Sequence, residues 1–358
     1  MCIRDRDGTE RLGSLSVIQG KDVEHVPELA AGDIGALPKL KDTRTGDTLC
    51  EAKQNVKLDP VPIPEPAISF ALEAESKGDE NKLASALAKV RDEDPTITVG
   101  RDPQTKEMLI SGAGPLHVEV IVGRLKKRYN VDVVLHQPKV PYRETIKSST
   151  EVTTRHKKQT GGSGQFAQCA IKMEPNHGKG YEFIDKIFGG SISQTYRPAV
   201  DKGIQEAAER GVVAGYPMVD FKITLLDGKE HAVDSSEMAF KLAGRKAFRE
   251  AAAKCKATLL EPIMQIEVYV PEDNLGDVMG DLNSRRGRVQ GLDSEDGTTT
   301  VKAQVPLAEM LTYAPTLRSI TQGRGDYHME FAKYSEVPKQ MQEKIIAAAS
   351  KDDVEDDE

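Results

Sequence analysis

Four prolines within the seven residues Pro60-Val61-Pro62-Ile63-Pro64-Glu65-Pro66 constrain this 358-residue chain more than any other stretch. Each proline fixes φ at about −65°, lacks an N–H and pushes the preceding residue out of the helical region. No helix or central strand can run through such a segment, so it reads as a stiff extended linker between separately packed parts. Upstream, residues 8–58 alternate apolar and polar positions between glycine turns at Ala31-Gly32-Asp33 and Thr45-Gly46-Asp47. That pattern predicts short antiparallel strands. They are too few to close a barrel, so residues 1–60 read as an incomplete β-barrel segment.

Downstream the hydrophobic period switches repeatedly. A strand at 67–75 precedes a helix at 79–92, with Leu83, Leu87 and Val90 on one face. Strands at 96–102 and 107–112, a helix at 115–129 with Leu116, Val120 and Leu125 inward, and a strand at 131–136 follow. The order β-α-β-β-α-β is the split βαβ or ferredoxin-like pattern. It recurs in unrelated sequence as strand 263–270, helix 274–284, strands 287–293 and 299–305, helix 307–316 and strand 324–333. The fold class is therefore α+β and multidomain, with boundaries expected at 61–139, 140–261 and 262–340 and a terminal helix and acidic tail at 341–358.

The middle domain carries a helix near 196–210, a strand at 217–226, a turn at Asp227-Gly228-Lys229 and a long helix at 235–256. Asp234-Ser235-Ser236-Glu237 fits a capping box at the start of that helix. Phe240, Gly244, Ala247, Phe248, Ala251 and Cys255 mark its inner face, while Lys241, Arg245 and Arg249 line another. The domain also holds Arg155-His156-Lys157-Lys158-Gln159-Thr160-Gly161-Gly162-Ser163-Gly164-Gln165-Phe166. This glycine-rich loop lacks the Lys-Ser/Thr pair that a nucleotide loop needs for phosphates and magnesium. A flexible, cationic, donor-rich projection suits RNA better.

The net charge of −8 is misleading, because the last eight residues carry −5 and the rest only −3. Local patches set phosphate affinity. They lie at Arg124-Leu125-Lys126-Lys127-Arg128, at Arg155 to Lys158, and at Arg285-Arg286-Gly287-Arg288, although each alone reads more readily as a solvated face than as an RNA contact. The acidic tail reads as disordered. The four dispersed cysteines form no C-x-x-C, and the seven histidines form no metal constellation. His231, Asp234 and Ser235 are neighbours on one turn without a nucleophile elbow, which argues against a hydrolase triad. No apolar run is long enough to cross a membrane as a helix. A reduced, cytoplasmic setting is expected.

Ordered segments including PEPAISFALEAESKGDENKL, LISGAGPLHVEVIVGRLKKRY, VPYRETI, GGSGQF, DSSEMAFKLAG, LEPIMQIEVYVPE, GDVMGDLNSRRGRVQG and LRSITQGRGDYHMEF closely resemble bacterial elongation factor G. The resemblance runs from about residue 8 to about 347. It implies the end of a second-domain barrel, then two ferredoxin-like domains flanking a ribosomal-protein-S5-like, tRNA-mimicking domain. It further implies that a GTP-binding domain is missing, so no catalytic residue, cofactor or metal belongs to this chain, GTP and magnesium being those of the full-length family. Implied partners are the ribosome, through RNA of both subunits and ribosomal proteins, and the tRNA–mRNA complex; DNA and membranes are not expected, and the chain is expected to be monomeric.

By the same resemblance, Gly161, Gly162, Ser163, Gly164, Gln165 and His231 form a tip that enters the decoding centre. Asn283, Arg285, Arg286 and Arg288 match a turn that rests on large-subunit RNA. Pro115 stands where the family carries an acid, and His117 matches a helix histidine; both are interdomain candidates, and a packing role for His117 is equally open. The implied function is GTP-dependent translocation of tRNA and mRNA. A recycling or ribosome-protection paralogue, a ferredoxin-like small-molecule regulator and a non-functional fragment remain alternatives.

Overall fold

The computed structural model describes residues 2–3, 8–10, 12–51, 56–159, 164–295 and 297–355. The chain divides into two compact units, Met1–Pro138 and Lys139–Glu358.

In the first unit, β1 (Cys2–Ile3), β2 (Gly8–Thr9) and β5 (Leu49–Cys50) form a three-stranded antiparallel sheet in the order β2-β1-β5. β3 (Ser16–Gln19) and β4 (Asp22–His25) form a hairpin. Short antiparallel strands are what the alternation predicts. After the proline segment come β6 (Ile68–Ala74), α1 (Glu80–Glu93), β7 (Thr98–Arg101), β8 (Met108–Gly112), α2 (Pro115–Tyr129) and β9 (Val133–His136). Their sheet runs β7-β8-β6-β9 with every pair antiparallel, the split βαβ arrangement. Leu72, Leu83, Leu87, Val90, Ile110, Val118, Ile121 and Leu125 fill the core.

The expected inner face of α2 is wrong at two positions. Leu116 is 72% exposed and Val120 46%, whereas Val118, Ile121 and Leu125 are buried. Residues 118, 121 and 125 form the i, i+3, i+7 stripe, and Leu116 lies roughly 200° round the helix from Val118. The buried stripe starts two positions later than the first apolar residue of the helix.

The second unit opens with β10 (Arg143–Ile146), β11 (Thr150–Lys158), β12 (Gln165–Pro175), β13 (Glu182–Asp185), α3 (Arg197–Glu209), β14 (Phe221–Lys229) and α4 (Glu237–Lys254). A four-stranded sheet runs β11-β12-β14-β13, with only β13–β14 parallel. The inner face of α4 is buried as its sequence predicts, with Phe240, Ala247, Phe248, Ala251 and Cys255 sealed in the core. α3 crosses α4 closely because Gly203 lies against the Lys241 backbone and Gly244 against that of Val200, leaving no room for a Cβ on either.

Two local expectations are corrected here. Asp227-Gly228-Lys229 is not a turn: β14 continues through it, pairing Gly228 with Cys169 beyond a bulge at Leu226 of β14. The cap of α4 is Ser236, whose side chain accepts from the Ala239 N–H, so the reciprocal glutamate of a capping box is absent.

β15 (Ala257–Pro271), α5 (Leu275–Ser284), β16 (Arg288–Glu295), β17 (Thr298–Pro306), α6 (Leu307–Met310), α7 (Tyr313–Ile320) and β18 (Asp326–Glu336) repeat the split βαβ order. Their sheet runs β16-β17-β15, with β18 also on β15. The expected single helix at 307–316 breaks at Leu311 and Thr312, because in a continuous helix the Pro315 ring would meet the Leu311 carbonyl. α8 (Lys339–Glu355) carries helix into the acidic tail, where charge alone predicts disorder. Residues 356–358 lie outside the described residues.

One residue joins the two halves of this unit. Glu144 on β10 is fully buried. Its carboxylate accepts the N–H groups of Val212 at 2.6 Å, Val213 at 3.0 Å, Ala214 at 2.8 Å and Tyr216 at 3.3 Å. Its backbone accepts from Val219 N at 2.8 Å and donates to Pro217 O at 2.9 Å, while β10 pairs along the first residues of β15. Alanine at this position leaves four partly buried donors without their partner, at about 1 kcal/mol or more each. We expect Glu144→Ala to lower the melting temperature of this unit by roughly 8–16 °C and Glu144→Gln by less, read by tyrosine fluorescence. A drop in the alanine variant of under about 2 °C contradicts the account.

Candidate nucleic-acid interface

β11 and β12 form a hairpin whose last pair is Lys158 with Gln165. Gly161, Gly162 and Ser163 of the expected tip lie outside the described residues. Gly164 and Gln165 are described and half-buried. Gly164 passes so close to the Asp234 carboxylate that a Cβ would sit 2.6 Å from its Oδ1. Gln165 Oε1 lies 2.9 Å from His156 Nε2 on the neighbouring strand.

The segment between β14 and α4 folds back against this hairpin. Phe166 N donates to Asp234 O at 2.8 Å. The Ser235 hydroxyl accepts from His231 N at 2.8 Å and donates to Phe166 O at 2.8 Å. It is thus held between two backbone groups and not on a histidine nitrogen. His231 Nδ1 accepts from Val233 N at 3.4 Å and Asp234 N at 3.3 Å, and the Asp234 carboxylate lies 3.4 Å away. The His231 side chain is exposed. Its ring stands 6.2 Å from that of Phe166, over which the Arg155 guanidinium sits at 5.1 Å. The structure therefore brings Gln165 and His231, 66 positions apart in sequence, to one end of one domain. Lys157 and Lys158 are exposed beside them. Sequence reasoning misses Phe166, Ser235 and His156. The hairpin register is the signal that finds His156, since Lys158 opposite Gln165 places His156 on the same face, one diagonal away.

The other candidates are distributed differently. Arg285 donates to Asp281 at 2.8 Å, to Glu309 O at 2.6 Å and to Thr316 at 3.0 Å, and its guanidinium lies over Tyr313. Arg286, at φ +60°, grips the buried Glu261 through two bonds of 2.7 and 2.9 Å and reaches Glu309 at 3.0 Å. Arg285 ties the helices α5, α6 and α7 together, and Arg286 ties β15 to α6. Asn283 and Arg288 stay exposed. Lys241 and Arg245 converge on Glu206 of α3 at 2.6 and 2.8 Å, so their line on α4 is partly a helix-to-helix clamp. Among the described residues no group of three or more His, Cys, Asp or Glu gathers as metal ligands, and no helix is long and apolar enough to cross a membrane.

In the first unit Pro115 takes the first position of α2, where a missing N–H costs nothing. His117 Nδ1 accepts from Ala113 N at 3.2 Å and Nε2 lies 3.0 Å from Asp94 Oδ2. Burial pushes the Asp94 carboxyl up, but hydrogen bonds from Thr96 and His117 outweigh it and hold the group below its ordinary 3.8. A depressed carboxylate stabilises the fold above its unfolded value, and that contribution is lost as pH falls through the folded value. The window therefore lies below about 3.8.

Residues 63–137, 138–256 and 258–345 match, in that order, Elongation Factor G, domain III; Elongation factor G, domain IV; and Elongation factor G C-terminus. A Thermus thermophilus protein of known crystal structure, ttk003000868, is 39% identical, with a TM-score of 0.81 over 96% of this chain and 52% of its own. The chain thus spans about half the length of that protein. Fold and site together define a modular α+β protein, with split-βαβ domains before and after, in sequence, a domain with a polar, cationic end. The chain belongs to the elongation factor G family.

Two measurements probe these local networks. Ser235→Ala removes the acceptor of the His231 N–H and one of the two bonds that join the loops, the other being Phe166 N to Asp234 O, so amide exchange at His231 should accelerate roughly 5- to 100-fold, as expected for about 1–3 kcal/mol, while α4 stays protected. His117→Ala should move acid unfolding of the first unit to higher pH, followed by circular dichroism.

Proposed function

We propose that this chain serves ribosomal translocation of tRNA and mRNA, with the domain at 140–261 entering the decoding centre. The observation that carries the reading is the convergence of the Gln165 and His231 loops on one exposed end, tied through Ser235 and flanked by Arg155, Lys157 and Lys158. A codon–anticodon duplex is A-form, and its shallow minor groove displays 2′-hydroxyls that neutral polar side chains can contact. The lysines and arginines supply salt-dependent attraction to phosphates, while Gln165 and His231 supply geometry. Of the C-terminal turn, Asn283 and Arg288 are the members free to meet large-subunit RNA, since Arg285 and Arg286 spend their donors inside the fold. Pro115 and His117 serve the first unit's own helix in this reading. GTP and magnesium act elsewhere in the full-length family and are assigned to no residue of this chain. The setting is the cytoplasm, and the factor works as a monomer.

The test is co-sedimentation with ribosomes carrying tRNA and mRNA, at several salt concentrations, followed by single-turnover translocation with the intact factor. Specific binding should weaken steeply with salt. Gln165→Ala and His231→Ala should each slow translocation by roughly 3- to 20-fold, as expected for about one hydrogen bond, and leave GTP hydrolysis unchanged. Unaltered translocation in both variants rejects the reading.

A further inference from the structure

The two fingertip side chains are each half-satisfied, and in the same sense. His231 turns Nδ1 toward the backbone N–H groups of Val233 and Asp234. Nε2 then carries the hydrogen in the neutral ring, and it carries one in the charged ring as well, so His231 projects a donor in either state. Gln165 has its carboxamide oxygen 2.9 Å from His156 Nε2. Its Nε2, with two hydrogens, has no partner among the described residues.

We propose that His156 is a positioning residue for this tip. By donating Nε2–H to Gln165 Oε1, it fixes the carboxamide with both N–H groups outward. The terminal torsion of glutamine is broad and two-fold, so an unpinned amide would present oxygen as readily as nitrogen. Pinned, the tip offers donors alone, and its complement is a surface of oxygen and nitrogen acceptors: ribose 2′-hydroxyls and the minor-groove edges of base pairs. The strand register explains why His156 can do this. It sits on β11 opposite Ala167, on the same face as Gln165, between the buried Val152 and Thr154 and the exposed Lys158 that ends the row. The ring is therefore wedged where the buried row ends and the tip begins.

This inference rests on the proposed RNA-contacting role, and the experiment separates the two. In 15N spectra of the whole chain, His156 Nε2 should be protonated, and the Gln165 side-chain amide signals should differ from those of a free glutamine. In His156→Leu they should collapse to the free position, while the backbone signals of Phe166 and Asp234 and the melting temperature hold. An unprotonated Nε2, or Gln165 signals unmoved by His156→Leu, overturns the proposal.

On ribosomes with tRNA in the decoding site, His156→Leu should weaken co-sedimentation roughly three- to tenfold, about the worth of one hydrogen bond. It should cause no further loss in a Gln165→Ala background. His156→Gln, whose amide N–H reaches the same oxygen, should restore binding. Losses that simply add overturn the proposal. If the amide signals respond but neither Gln165→Ala nor His156→Leu alters ribosome binding, the positioning role stands and the translocation reading fails.

Discussion

The second unit depends on a carboxylate buried where a bare charge would be prohibitively costly. Taking Glu144 out of water costs several kcal/mol, and only a full set of donors offsets it. Those donors are backbone amides of one loop, 212–216, which wraps the carboxylate. The loop cannot keep its shape without the acid, and the acid cannot stay buried without the loop. Because Glu144 also lies on β10, the same interaction fixes where the chain leaves this domain for the C-terminal sheet. A second buried acid, Glu261, lies on β15 itself and is answered by Arg286 from the α5–β16 turn. Aromatic and ionic contacts to β18 reinforce the joint, with Arg143 of β10 over Tyr334 and Lys147, the residue after β10, paired to Glu336.

Much of this is legible in the sequence because the signals are strong and local. The period switches between 67 and 136 predict the right elements in the right order. So does the small-residue face of α4, since alanines and glycines at helical spacing have few uses other than close packing. The errors share a cause. Leu116 and Val120 point inward only if apolar character is counted without helical phase. Asp227–Lys229 looks like a turn because the bulge that lets a strand keep such residues depends on its partner. The split between α6 and α7 escapes sequence reading although Pro315 is in plain view, because proline is tolerated in a first turn and the sequence does not say which turn is first.

The candidate tip divides in the same way. Gly164, Gln165 and His231 emerge through motif resemblance, yet nothing in the residues alone says that the two loops touch. What joins them is the bond from Phe166 N to Asp234 O together with Ser235, a residue of the cap region whose hydroxyl is spent on neither helix nor solvent. Of the basic clusters, sequence cannot tell an arginine that faces water from one that holds a sheet. Arg285, Arg286 and Arg288 sit in one short run, and two of the three are consumed by acids, carbonyls and hydroxyls of their own domain. That choice is made by tertiary partners far away in the chain.

The pairing of β10 with the start of β15 has a mechanical consequence. A domain tethered by one strand can swivel about its single bonds. Here the strand that brings the chain in and the strand that takes it out lie side by side, hydrogen-bonded from Arg143↔Leu260 to Ile146↔Ala257. A two-stranded stalk resists torsion, because twisting it shears several hydrogen bonds together and not one at a time. β15 then continues without interruption to Pro271, so the stalk is also the central strand of the next sheet. Torque applied to the far end of the middle domain reaches the C-terminal domain as rotation of a beam clamped at its root.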